Sequence, residues 1–128
     1  MLNEIKTSAD IQTFLEKTNA LHDGYIIDVK YSNHGISKIE NGHYFEPHKT
    51  KLILQILVTS SWDTVVEIEF EGLFEWQIKD SQSDIFHTSV TFDEHDRIVW
   101  SDDAYVNMDE VRKGSYAVAS SMKWRIVK

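Results

Sequence analysis

Metal or acid–base chemistry in this chain of 128 residues would have to start from its 6 histidines and 21 acidic residues, because it has no cysteine. That absence removes disulfides, thiolate zinc sites and thiol nucleophiles together, so any catalysis would use oxygen or imidazole. The histidines show none of the strong ligand spacings: there is no His-Glu-x-x-His and no histidine pair at helical spacing. His22-Asp23 shares its letters with a metal-dependent hydrolase dipeptide, yet it opens a strand, where Asp23 suits the bonding of local backbone N–H groups in a turn at Gly24. His43, Glu46 and His48 would hold a transition metal only if their loop folded back on itself. The carboxylates Asp93, Glu94 and Asp96, with Asp102 and Asp103, lack the spacing and the glycine of a calcium-binding EF-hand loop, and read as a solvated acidic turn. His87 shares its parity with Ser89 and Thr91, the polar face of a strand. No serine sits in a Gly-x-Ser-x-Gly elbow, and no glycine-rich loop precedes a helix. His22, Asp23 and His87 are thus ligand or turn residues, and the sequence points to no catalytic set, no metal and no cofactor.

A second group of residues speaks to binding. Glu67, Glu69 and Glu71, with Glu75 beyond them, fall on one face of one strand, where like charges repel unless cations or solvent compensate. Lys51, Lys79, Lys123 and Arg125 are the candidate cations. Without them the row is a negative stripe suited to docking a basic protein, and Tyr44 and Phe45, in an exposed hairpin, are the aromatic alternative.

Charge narrows the partners. With 13 basic residues against 21 acidic ones the chain carries −8, so phosphate backbones and anionic membranes repel it, and neither nucleic acid nor a membrane is the expected partner. Hydrophobic residues at 41% and aromatics at 12% are too much apolar bulk for a disordered segment, and the length suits one core, so residues 1–128 read as a single domain. The segment Met1 to Lys6 lacks the basic flank and apolar run of a signal peptide, and no apolar run nears the ~20 residues that span a bilayer. A cytoplasmic location is the expectation.

The elements that must position these side chains follow from periodicity. Thr7 or Ser8 caps a helix over about 8–18 whose apolar residues Ile11, Phe14 and Leu15 are three and four apart. From Tyr25 the period becomes two, with Tyr25, Ile27, Val29 and Tyr31 on one face and Asp28 and Lys30 on the other. Asn41-Gly42 marks a short hairpin over 36–46, and Pro47 fits a strand boundary. Leu52, Leu54, Ile56 and Val58 line one face of a central strand, with Ile53 and Leu57 on a second face that the helix is expected to cover. Residues 65–78 keep one parity, with Val66, Ile68, Phe70, Phe74, Trp76 and Ile78 inward, and Gly72 marking a bulge or bend. Phe86, Val90 and Phe92 begin a second hairpin, Asn107 to Lys113 form a helical turn, and Tyr116, Val118, Met122, Trp124 and Ile126 alternate along a last strand. One helix followed by six or seven strands with short connections is an α+β fold: a single twisted, mainly antiparallel sheet, open or curled into a half-barrel, packed by the N-terminal helix.

The order Leu21-His22-Asp23, then Leu52 to Val58, then Val66-Glu67-Ile68-Glu69-Phe70-Glu71-Gly72-Leu73 resembles that of small bacterial β-rich domains which include immunity proteins of polymorphic-toxin systems. The resemblance covers residues 21 to about 78, and departs from the family pattern at Phe74-Glu75-Trp76-Gln77. It implies a protein that binds and blocks a toxin, with no catalytic residues. The other reading left open is a small-molecule or metal-dependent enzyme using histidine and carboxylate groups. A pocket containing His22, Asp23 and His87 would favour the enzyme, and an exposed acidic and aromatic patch would favour binding.

Overall fold

The helix α1 (Ser8–Lys17) is closed at its start from both sides. The Thr7 hydroxyl accepts from the Asp10 N–H at 3.2 Å, and the Asp10 carboxylate accepts from the Thr7 and Lys6 N–H groups at 2.9 Å each, so N–H groups that a helix start leaves orphaned find partners. The computed structural model describes residues 2–33, 36–39, 42–46, 49–79, 84–105 and 107–127. Among these residues the two-residue strand β1 (Asn3–Glu4) precedes α1, and eight strands and a one-turn helix follow it: β2 (Gly24–Asn33), β3 (Ile36–Ile39), β4 (Gly42–Phe45), β5 (Thr50–Val58), β6 (Thr64–Gln77), β7 (Ser89–Phe92), β8 (Ile98–Ser101), α2 (Met108–Val111) and β9 (Tyr116–Ile126).

Six strands form an antiparallel path in the order β2-β5-β6-β9-β8-β7, and β1 joins along β9. β3 and β4 make a separate hairpin. The path does not close, but the segment leading into β7 bends back so that Ile85 bridges Gly24, the first residue of β2, its N–H donating to the Gly24 carbonyl at 2.7 Å and its carbonyl accepting from the Asp23 N–H at 2.8 Å. The fold is the expected α+β sheet with its helix, curled about one concave core.

That core is built from Leu52, Leu54, Ile56 and Val58 of β5, Val66, Ile68 and Phe70 of β6 and Met122 of β9, all fully buried, with Trp124 of β9 buried beside them. Phe14 of α1 lies in it, edge-on to Trp124 at 5.4 Å. The helix therefore covers the concave face, not the face of Ile53 and Leu57 as the sequence suggested. Those two stay half-buried on the convex side, because a continuous apolar surface for Phe14 exists only on the other face.

Parity holds along β5 and breaks in three other strands. At Gly72 the backbone takes φ 68°, open to glycine but not to most residues, and the pairing with β9 slips between Leu73 and Glu75. Beyond the bend Leu73 and Trp76 pack on the core while Phe74 turns out, 57% exposed, with the Arg97 guanidinium over its ring at 4.7 Å. β9 changes phase opposite this bend: Ala117 and Ala119 join the main core, and Tyr116 and Val118 turn to the convex face, where with Val99 and Val111 they make a small second core beneath α2. In β2 the register slips between Ile26 and Asp28, so Ile26, Val29 and Tyr31 lie opposite Ile56, Leu54 and Leu52, while Tyr25 does not share their face. A bulge adds one residue without changing composition, so alternation alone places the side chains beyond it on the wrong face.

On the convex face Glu75 accepts from Arg112 Nε at 2.6 Å and from the Tyr116 hydroxyl at 2.7 Å, tying β6 to the end of α2. The Arg112 hydrogen bond, with that of Tyr116, holds its carboxyl below the usual glutamate range. A carboxylate of depressed pKa stabilises the fold above its unfolded pKa, and that contribution fades as pH falls through the lower folded value. Melting temperature measured from pH 7 to pH 3 should therefore fall less steeply on acidification for Glu75→Gln than for the parent chain. Equal slopes would show that the Arg112 pair does not contribute.

Candidate functional site

Three connections meet at one end of the sheet: residues 18–23 between α1 and β2, residues 59–63 between β5 and β6, and residues 84–88 before β7. Pairing of Gly24 with Val58 and of Val58 with Thr64 fixes them side by side. Their backbone is unusual. Asn19, Ala20, Leu21 and Asp23 have φ of 53° to 56°, and Trp62 and Asp63 have φ of 56°, a left-handed conformation that costs a non-glycine residue about 1–2 kcal/mol. Such residues persist only where neighbouring contacts over-determine them.

Those contacts are present. Thr18 donates to the Phe14 carbonyl at 2.7 Å, and the Leu21 and His22 N–H groups donate back to the Thr18 and Asn19 carbonyls. From the neighbouring loop the Ser60 hydroxyl donates to the His22 carbonyl, the Thr59 hydroxyl to that of Asp23 at 2.9 Å, and Asn19 Nδ2 to Ser60 Oγ at 3.1 Å. From the third segment the Thr88 N–H donates to the Ala20 carbonyl at 2.9 Å. Gly24 closes the turn where there is no room for a side chain, since a Cβ there would lie 2.6 Å from the Leu21 carbonyl oxygen.

This scaffold holds a surface groove of about 650 Å3 lined by Gln12 and Glu16 of α1, Asn19, His22, Phe86 and His87. His22 Nδ1 is 2.6 Å from the Phe86 carbonyl, which can only accept, so Nδ1–H donates and Nε2 is the nitrogen left for other partners. His87 has the same arrangement with the Thr88 carbonyl at 3.0 Å. Two imidazoles thus share the groove with the carboxylate of Glu16 and the amides of Gln12 and Asn19. Around the groove two aromatics face solvent: Phe86, 69% exposed and edge-on to His22 at 5.4 Å, and Trp62, 97% exposed. Glu16, Asp23, Asp63 and Asp84 also lie on these connections or the adjoining helix end, against Lys17 as the only Lys or Arg there.

The residues singled out in the sequence fall as follows. His22 and His87 are brought to one groove, and Asp23 stands beside it with its carboxylate 3.8 Å from His22 Nε2, in place of the local backbone bonds expected of it. His87 precedes β7 instead of lying within it, and Ile85, not Phe86, points into the core. The row Glu67, Glu69 and Glu71 is paired: Arg125 Nε lies 2.8 Å from Glu67, Lys51 2.7 Å from Glu69 and 3.8 Å from Glu71, and Lys123 3.9 Å from Glu71, while Gln55 donates to Glu67 at 3.2 Å. Lys79 makes no ion pair with the row among the described residues. The uncompensated repulsion on which its docking role depended is therefore relieved within the fold. Tyr44 and Phe45 belong to β4, and their side chains lie outside the described residues.

Asp93 is occupied as a turn cap, accepting the His95 and Arg97 N–H groups at 2.8 and 2.9 Å, and Asp102 and Asp103 stand at the other end of β8, about 13 Å along a four-residue strand. His48 lies outside the described residues, and among these no three His, Asp or Glu side chains converge on a metal position. Protein purified without metal-affinity chromatography should carry no stoichiometric zinc by elemental analysis, and chelation should leave its circular dichroism unchanged. Stoichiometric zinc whose removal unfolds the chain would contradict this.

Trp62 and Phe86 were not legible as surface residues, since a large aromatic is normally core; the one cue was that Trp62 follows Thr59-Ser60-Ser61, a polar run typical of loops. No helix among the described residues is long and apolar enough to cross a membrane. Compared with models of protein families, with curated proteins and with solved structures, the chain matches none.

Proposed function

We propose that this chain is a cytoplasmic protein-binding module that captures a basic partner at the loop end of its sheet, in the manner of an immunity protein that binds and blocks a toxin. The observation that carries the reading is Trp62, almost fully exposed and held in a left-handed conformation by a hydrogen-bonded loop cluster. A tryptophan in water contributes nothing to the core and gains when a partner covers it, and Trp is enriched, with Tyr and Arg, among the energetic anchors of protein interfaces. Phe86 adds a second apolar contact. The carboxylates Glu16, Asp23, Asp63 and Asp84 supply the complementary charge for a basic surface, a role first assigned to Glu67, Glu69 and Glu71. The toxin identity rests on the resemblance alone.

The test is co-expression with any toxin-like domain encoded beside the gene. The parent chain should restore growth and bind that domain in a one-to-one complex by calorimetry, whereas Trp62→Ala/Phe86→Ala, with an unchanged melting temperature, should do neither. Full protection by the double variant would reject the loop end as the binding surface. A second reading is supported by the groove itself: a small-molecule site in which His22 and His87 accept hydrogen bonds and Glu16 supplies charge. It predicts small ligands that shift the imidazole signals of both histidines, in the absence of any protein partner.

A further inference from the structure

At the opposite edge of the path from β7, we infer that β2 pairs with β2 of a second copy of this chain, joining two sheets across a two-fold axis. β2 is a ten-residue edge strand, and beyond the Gly24–Ile85 bridge no strand among the described residues pairs with its outer side. Long edges are normally blunted, because their free N–H and C=O groups template pairing with other chains. This one is apolar instead: Tyr25, Ile27, Val29 and Tyr31 are 40–52% exposed.

Charge selects the occupant. Asp28 and Lys30 share one face, opposite Gln55 and Ile53, and neither makes an ion pair within the chain among the described residues. In an antiparallel pair centred on Val29, each strand sets Asp28 against Lys30 of its copy and Lys30 against Asp28, giving two cross-strand ion pairs, while Val29 meets Val29. A lysine and a bulge on an edge are also devices that prevent pairing, but a lysine two residues from an aspartate on the same face is self-complementary, so here it sets a register. Val29 and Tyr31 lie on the core side, and Tyr31 already stacks on Trp76 with centroids 5.5 Å apart, so pairing would extend the concave apolar surface across the axis. This surface is independent of the loop end.

Sedimentation equilibrium of the whole chain over a concentration series tests the inference. The parent should reach a dimer, and Asp28→Lys or Lys30→Asp alone should raise its dissociation constant about tenfold or more, since each puts like charges opposite one another twice. The exchange Asp28→Lys/Lys30→Asp should restore dimerisation, and an equimolar mixture of the two single variants should form a heterodimer in preference to either homodimer. A strictly monomeric parent, as would be found if the edge served a strand from another protein, overturns the inference. So does a dimer that none of these substitutions weakens.

Discussion

Phe70→Ala should lower the stability of this domain by about 3–5 kcal/mol, among the largest effects expected of a single core truncation here. Phe70 is fully buried in the middle of the longest strand, paired with Leu52 on one side and Met122 on the other, and its ring lies 5.9 Å from that of Trp100. Removing it takes contacts from β5, β8 and β9 at once. Two residues later Gly72 bends the strand, and a cavity at the bend cannot collapse without moving the paired register on both sides. Urea denaturation followed by tryptophan fluorescence is the measurement. An unchanged midpoint would mean that the ring does not face the core, and the whole assignment of the concave face would fall with it.

Trp62→Ala should have the opposite signature: no loss of stability, and a loss of about 2–4 kcal/mol in affinity for the protein partner, roughly 30- to 1000-fold in dissociation constant. The side chain touches solvent almost everywhere, so its truncation opens no cavity in the monomer. Its loop is held by backbone and by Thr59 and Ser60, none of which depends on the indole. Calorimetric titration of the variant against the partner, beside a thermal melt, separates the two effects. A drop in melting temperature without change in affinity would show that Trp62 packs within its own chain.

The sheet was readable because its strongest signals are local. Leu52 to Val58 alternates without interruption and is buried as its pattern demands, and Thr7 with Asp10 announced the helix start. Side-chain facing was lost wherever a bulge intervened, at Ile27 and around Phe74, because one inserted residue leaves the alternation of letters intact while reversing the faces. The site was less legible still. His22 and His87 are 65 positions apart, and long-range contacts such as the bridge between Gly24 and Ile85 bring them to one groove. Whether the glutamate row is neutralised was open for the same reason: its candidate cations Lys51, Lys123 and Arg125 stand on the two flanking strands, and strand order is not written in any one segment.

Recognition at the loop end is tested most directly by amide hydrogen exchange of the chain alone and in complex with its partner. Protection on binding should concentrate in residues 19–23, 59–63 and 85–88, with the convex ladder of Glu67, Glu69 and Glu71 exchanging as it does in the free protein. Protection confined to that ladder or to the 36–46 hairpin, with the three loops unchanged, would contradict it.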